Sequence, residues 1–152
     1  MVCMGNICRS PMAEAVGRNM ARRIGMGRRF IFDSAGTHPA GNGARPDPRA
    51  VAALELNGYK IVRHRARGLI DRDFERCDLI LAMDHVNLGS LRRVCPVEQS
   101  HKLSLFLDFA PGLAGQEVPD PYYGNAQGFA HVLELCEFGA RGLLATLAGK
   151  GT

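Results

Sequence analysis

Cys3 and Arg9 stand with five residues between them, and Ser10 and Pro11 follow at once. A span of about five residues lets the backbone curl around one tetrahedral oxyanion, with successive N–H groups turned inward as a nest for negative charge. Pro11 suits the first turn of a helix, where its missing N–H would have no partner anyway. A helix starting there aims its positive end back into the loop, which favours a bound anion. Arg9 adds a planar fork that grips two phosphate oxygens together. At the base of so positive a cup, Cys3 is expected to ionise more readily than a free thiol and to act as a nucleophile. Such a loop sits between a buried strand and a helix, so these residues constrain the fold before any others are read. Only Met1 and Val2 precede Cys3. Either the sequence starts too far downstream, or the first strand is truncated and supports the loop poorly.

Behind the loop, Met12, Val16, Met20 and Ile24 recur at every fourth position and predict a helix with one apolar face, stopped at Gly25. Phe30-Ile-Phe32 reads as a short buried strand running into Asp33-Ser-Ala-Gly-Thr37. A Gly- and Pro-rich loop from His38 leads to a helix over Pro48–Leu56, ended by Asn57-Gly58. Asp71 to Arg76 suggests a helical turn, Asp78 to Met83 a buried strand, and Lys102 to Phe106 a further strand. Asp84 lies just past the Asp78–Met83 strand, where open α/β sheets place ligands, although capping the helix of Val86 and Leu88 explains it equally well. From Gln127, Phe129, Val132, Leu133, Cys136, Ala140, Leu143, Leu144 and Leu147 mark a long amphipathic helix. Alternation of strand and helix predicts an α/β fold, doubly wound, with a mostly parallel four-stranded sheet flanked by helices and joined by right-handed crossovers. At 152 residues, 46% of them hydrophobic, the chain fits one domain over 1–152 with one well-buried core.

Asp120 stands between Pro119 and Pro121, which restrict the backbone on both sides and hold its carboxyl at a fixed height. The complete string Cys3-Met-Gly-Asn-Ile-Cys-Arg-Ser-Pro-Met-Ala-Glu14 closely resembles the signature of the low-molecular-weight protein tyrosine phosphatases, and further matches extend to about Phe138. That resemblance implies a phosphomonoester hydrolase acting on protein phosphotyrosine or other aryl phosphates through a phosphocysteine intermediate, with no metal and no cofactor. It implies Cys3 as nucleophile, Met4, Gly5, Asn6, Ile7, Cys8, Arg9 and Ser10 as the phosphate-binding loop, and Asp120 as general acid and then base. It also implies a supporting hydrogen-bond network of Asn6, Ser10, Ser34 and His64, and a reversible disulfide between Cys8 and the nucleophile. Tyr122 and Tyr123 are expected to line a slot for a phenyl ring. Many relatives place a Trp or Tyr three residues beyond the Thr of the Ser-Ala-Gly-Thr segment; here that position is Ala40, and the chain has no Trp. One wall of the slot is therefore expected to be missing, and selection for phosphotyrosine to be weaker.

A net charge of +4 favours acidic or phosphorylated ligands, but no aromatic-interleaved basic motif points to nucleic acid. Five cysteines, an odd number without a regular framework, argue for a reducing compartment. No basic-then-apolar leader precedes Cys3, and no stretch approaches ~18 uninterrupted apolar residues, so neither secretion nor a membrane span is indicated. The expectation is a cytoplasmic protein, monomeric or weakly homodimeric. Zinc binding lacks a Cys-x2-Cys pair, and a nucleotide loop lacks Gly-Lys-Ser/Thr. Two rivals stay open. A thiol-dependent arsenate reductase shares the fold and loop, with Cys77 and Cys95 as candidate relay thiols at a wider spacing than in that family. A catalytically inactive phosphate-binding module would suit the short first strand.

Overall fold

The computed structural model describes residues 1–149; the last three residues of the expected 1–152 unit lie outside that range. In chain order the elements are β1 (Val2–Cys3), α1 (Arg9–Arg23), β2 (Ala35–Gly36), α2 (Pro48–Leu56), α3 (Asp71–Arg76), β3 (Ile80–Ala82), α4 (His85–Val94), β4 (Leu103–Leu105) and α5 (Ala126–Gly149). Tight 3-10 turns over Val97–Lys102 and Phe106–Phe109 flank β4. The sheet has the order β2-β1-β3-β4, and its pairings are parallel throughout.

Alternation along the strands sorts the core into two faces. Val2, Ile80, Ala82 and Leu105 pack with Phe74 of α3 and Leu88 and Leu91 of α4. Cys3, Leu81 and Met83 face the other way, onto a larger cluster that includes Met12 and Val16 of α1, Leu54 of α2 and Phe129 and Val132 of α5. Helices on both faces make the fold doubly wound. With β1 between β2 and β3, the strand order reverses beside β1, and the carboxyl ends of β1 and β3 border the crevice where such sheets bind ligands.

Two expectations are corrected. Phe30–Phe32 forms no strand; the pairing with β1 is made by Ala35 and Gly36. Phe32 is buried because its ring lies against Gly17 of α1, where an added Cβ would come within 2.6 Å of it, while Ile31 is 91% exposed. The apolar run therefore reports one helix contact and no sheet position. The first helix starts at Arg9, two residues ahead of the expected Pro11, because the loop after Cys3 winds directly into the first turn. The first strand is as short as expected, yet it is central and tied on both sides. Met1 O accepts from Ala35 N–H, Cys3 O from Thr37 N–H, and Val2 O from Met83 N–H, at 2.9–3.0 Å.

Candidate active site

Between Cys3 and Arg9 the backbone carbonyls are turned outward and engaged. Met4 O accepts from His38 N–H (2.9 Å), Gly5 O from Ala40 N–H (3.1 Å), and Ile7 O from Asp47 N–H (2.8 Å). Asn6 O meets His64 Nε2 at 2.8 Å. In a trans peptide the N–H of the next residue points opposite to the carbonyl. Four outward carbonyls therefore turn the N–H groups of Gly5, Asn6, Ile7 and Cys8 inward. Asn6 N–H shows this directly by donating to Cys3 Sγ at 3.3 Å. The N-terminus of α1 has no side-chain cap and no acidic residue in its first turn, so its free donors and dipole face the same hollow. Cys3, 3% exposed, lies at the bottom of it with Ser10 Oγ 3.0 Å from its sulfur.

Asn6 supports the curl from beneath. Its φ of 55° lies in the left-handed region, which Asn tolerates better than most residues but at a cost. Its fully buried amide offsets that cost, donating to Ser10 Oγ (2.9 Å) and Ser34 Oγ (3.0 Å) and accepting from Arg67 N–H (3.0 Å). Ser34 Oγ passes the chain on by donating to Glu14 Oε2 at 2.6 Å. Glu14 also pairs with Arg18 and has His64 Nδ1 at 3.7 Å. Burial works to raise the Glu14 carboxyl, but His64, Ser34 and Arg18 together hold it below its ordinary value. The expected network of Asn6, Ser10, Ser34 and His64 is thus brought together, with Glu14 as a hub not anticipated from the sequence. Glu14 and Arg18 stand four apart on a helix, the one signal that could have found them. Gly36 closes the underside: a Cβ there would lie 2.6 Å from Met4 O, so the strand could not approach the loop so closely with any other residue.

Arg9 is buried, and its Nη1 is committed to Asp84 Oδ2 (2.6 Å) and Val118 O (3.1 Å). That bracing leaves Nη2 to the open side, 3.7 Å from Asp120 Oδ2. Asp84 plays both parts considered for it, since its Oδ1 also caps α4 by accepting from Asn87 N–H at 2.7 Å. Asn87 is fully buried, and the amide orientation that satisfies it donates to Asp84 and accepts from Met4 N–H (3.3 Å). Asp120 itself is exposed, with Oδ1 accepting from Tyr122 N–H (3.1 Å).

At the rim, Ala40 is exposed beside Gly5, and Tyr122 and Tyr123 form an edge-to-face pair with centroids 5.0 Å apart. Tyr122 is 43% exposed and lies under the Arg49 guanidinium, whereas Tyr123 is 93% exposed. Asp47 caps α2 ahead of Pro48 and grips Arg49, which holds the Asp47 carboxyl below its ordinary value. Cys8 is buried, and burial pushes its thiol up to about 12, so it is neutral at physiological pH. Cys77 and Cys95 precede β3 and β4, at the end of the parallel sheet opposite the Cys3 loop. That separation counts against an arsenate relay.

The family model for low molecular weight phosphotyrosine protein phosphatase matches residues 1–152. A low molecular weight protein-tyrosine-phosphatase of Streptomyces coelicolor is 44% identical over 149 residues, covering 96% of this chain and 90% of that protein. The crystal structure of a protein tyrosine phosphatase from Entamoeba histolytica superposes with a TM-score of 0.93 at 35% identity, over 99% of this chain and 96% of that one. The YwlE arginine phosphatase of Bacillus subtilis, solved as a Cys-to-Ser variant with a phosphorylated active-site serine, superposes at 0.90 with 27% identity, over 99% and 95%. The family pattern runs the length of the sequence, a relative is 44% identical over nearly all of it, and the fold superposes on that of a solved tyrosine phosphatase; the chain belongs to the low molecular weight phosphotyrosine protein phosphatase family.

Proposed function

We propose that this phosphatase hydrolyses protein phosphotyrosine or other aryl phosphates, with Cys3 as nucleophile, Arg9 as phosphate clamp and Asp120 as general acid and base. The observation that carries this reading is the convergence on one sulfur: Asn6 N–H and Ser10 Oγ at 3.3 and 3.0 Å, with the inward donors of the loop above it. Cys3 attacks phosphorus in line; an S–P bond forms as the P–O bond to the leaving group breaks, and Asp120 gives its proton to the departing oxygen. Asp120, now a carboxylate, takes a proton from the water that attacks the phosphocysteine. The S–P bond then breaks, and Ser10 donates to the released thiolate. Through both steps the loop N–H groups and Arg9 Nη2 hold the charge on the equatorial oxygens, without rearrangement at the moment of reaction.

The aryl class is favoured because Tyr122 and Tyr123 stand next to Asp120 and offer the mouth an aromatic wall. Cys8, neutral as it stands, serves in this reading as the reserve thiol that closes a disulfide on oxidised Cys3. Five unpaired cysteines accord with a reducing, cytoplasmic setting, and no helix among the described residues is long and apolar enough to cross a membrane. Cys3→Ser is expected to abolish hydrolysis of p-nitrophenyl phosphate while keeping vanadate binding near that of the parent. Turnover retained in that variant ends the mechanism, and absence of turnover in the parent leaves only the inactive binding module.

A further inference from the structure

The acid loop, residues 119–125, is bound to the rest of the molecule by very little. Apart from Asn125, whose Oδ1 accepts from Gln127 and Gly128 N–H at the start of α5, the side-chain hydrogen bonds and ion pairs that reach it from outside come, among the described residues, from Arg9 and Arg49. Arg9 is the phosphate clamp, so a substrate competes for the very group that meets Asp120. Arg49 has no such conflict. Its backbone N–H and its Nε donate to Asp47 Oδ1 (2.8 and 3.0 Å) and its Nη2 to Oδ2 (2.8 Å), a two-pronged grip that fixes the plane of the guanidinium. Asp47 N–H in turn holds Ile7 O of the phosphate loop at 2.8 Å. On its far side the guanidinium lies over the rings of Phe129 (4.7 Å) and Tyr122 (5.5 Å), within the range of cation–π attraction. Its Nη1 reaches Gly124 O at 3.4 Å.

We propose that Arg49 is a positioning residue: with Asp47 it forms a strut from the phosphate loop to the acid loop, and it sets where Asp120 and the Tyr122 ring stand once substrate occupies Arg9. The proposal rests on the assignment of Asp120 as general acid, and it goes beyond that assignment by naming what aims the acid. A strut of this kind acts only on proton delivery. Its loss is felt with a leaving group that needs a proton, such as phenolate, and much less with p-nitrophenolate, which leaves unaided.

The test is a cycle of four proteins, the parent, Arg49→Met, Asp120→Asn and the double variant, with kcat/KM measured on phenyl phosphate and p-nitrophenyl phosphate. Methionine keeps an apolar stem over Phe129 and removes the fork. Arg49→Met is expected to lose about tenfold on phenyl phosphate and less than about threefold on p-nitrophenyl phosphate, since a displaced catalytic group costs rate steeply. In the Asp120→Asn background the same change is expected to cost nothing further on either substrate. Arg49→Lys, which retains the cation but not the two-pronged grip, is expected to fall between parent and Arg49→Met, and it carries the comparison should Arg49→Met fail to bind vanadate. Equal losses on both substrates, or an undiminished loss in the Asp120→Asn background, reduce Arg49 to a cap of α2 and overturn the proposal. If Asp120→Asn shows no leaving-group dependence, the acid assignment falls and the strut with it; if only Arg49→Met shows none, the strut alone falls.

Discussion

Around Asn6, each outward carbonyl of the phosphate loop from Met4 to Ile7 has a donor, and the side chains beneath close on one another through Ser10, Ser34, Glu14 and His64. Around Asp120, the carboxylate is 43% exposed and holds its own loop by a short-range bond to Tyr122 N–H. One half of the site is over-determined, and the other is left adjustable. The chemistry proposed for the two halves accounts for the difference. Stabilising charge on three equatorial oxygens depends on donors that do not reorganise, so the nest must be rigid before substrate arrives. An acid need only meet the leaving oxygen, whose position varies with the substrate, and a loop with few ties can follow it.

The sharpest break of this contrast is Asp120→Asn, which removes the chemistry proposed for the loosely tied half and leaves the other half whole. Loss of a general acid is expected to lower kcat/KM for phenyl phosphate by roughly 10²–10³-fold, with a much smaller loss for p-nitrophenyl phosphate and unchanged vanadate affinity. Equal losses on the two esters would show that Asp120 acts through the nest and gives no proton. Asn6→Ala attacks the other half. It leaves Arg67 N–H without its acceptor, takes a donor from Ser10 Oγ and Ser34 Oγ, and leaves alanine in a left-handed backbone, a cost of about 2–4 kcal/mol in stability. Both esters are expected to lose a similar ~10–100-fold in kcat/KM, because the displaced donors serve every substrate alike. A leaving-group-dependent loss here would erase the distinction between the two halves.

Much of the rigid half was legible because its residues are neighbours in sequence. The Cys-x5-Arg spacing, the helix behind it and the helix over Pro48–Leu56 are local patterns, and the fold realises them nearly as written. Asp84 was visible but ambiguous, since capping and ligand bracing call for the same residue at a strand's end; the structure uses it for both. What stayed hidden acts across distance. Glu14 receives Ser34 from 20 positions away, and Arg49 touches Gly124 from 75. Nothing in the local sequence tells a surface ion pair from a strut. The misread strand at Phe30–Phe32 has the same origin: Phe32 is apolar because of Gly17 on α1, a contact that hydrophobic runs do not encode.

Glu14 gives the contrast a pH axis. Its carboxyl is held below the ordinary 4.5, so it favours the folded state above that pH, and the advantage is lost as the pH falls toward its folded value. Glu14→Gln is expected to lower stability by about 1–3 kcal/mol at pH 7, where a charged hydrogen-bonding partner is lost. The gap between parent and variant should close in urea titrations carried down through pH 4.5. A gap that is constant with pH would mean that Glu14 contributes by shape and not by charge.

The smallest effect belongs at the rim, where the two halves meet the substrate's ring. Ala40 stands at Gly5, on the rigid side of the mouth, while Tyr122 stands with Arg49 on the acid-loop side. A phenyl ring between them meets an aromatic surface on one side and a methyl group on the other. Ala40→Trp supplies the second wall from the side bonded to Gly5 of the Cys3 loop. One aromatic contact contributes about 0.5–1.5 kcal/mol, so the kcat/KM preference for phosphotyrosine over phosphoserine should rise about two- to tenfold. The gain should appear with phosphotyrosine alone, because phosphoserine has no ring to stack. An equal gain for both would mean that the new side chain merely shields the nest from water. No gain at all would mean that the ring is gripped wholly by the acid loop, and then Tyr122, held by Arg49, is the specificity determinant on its own.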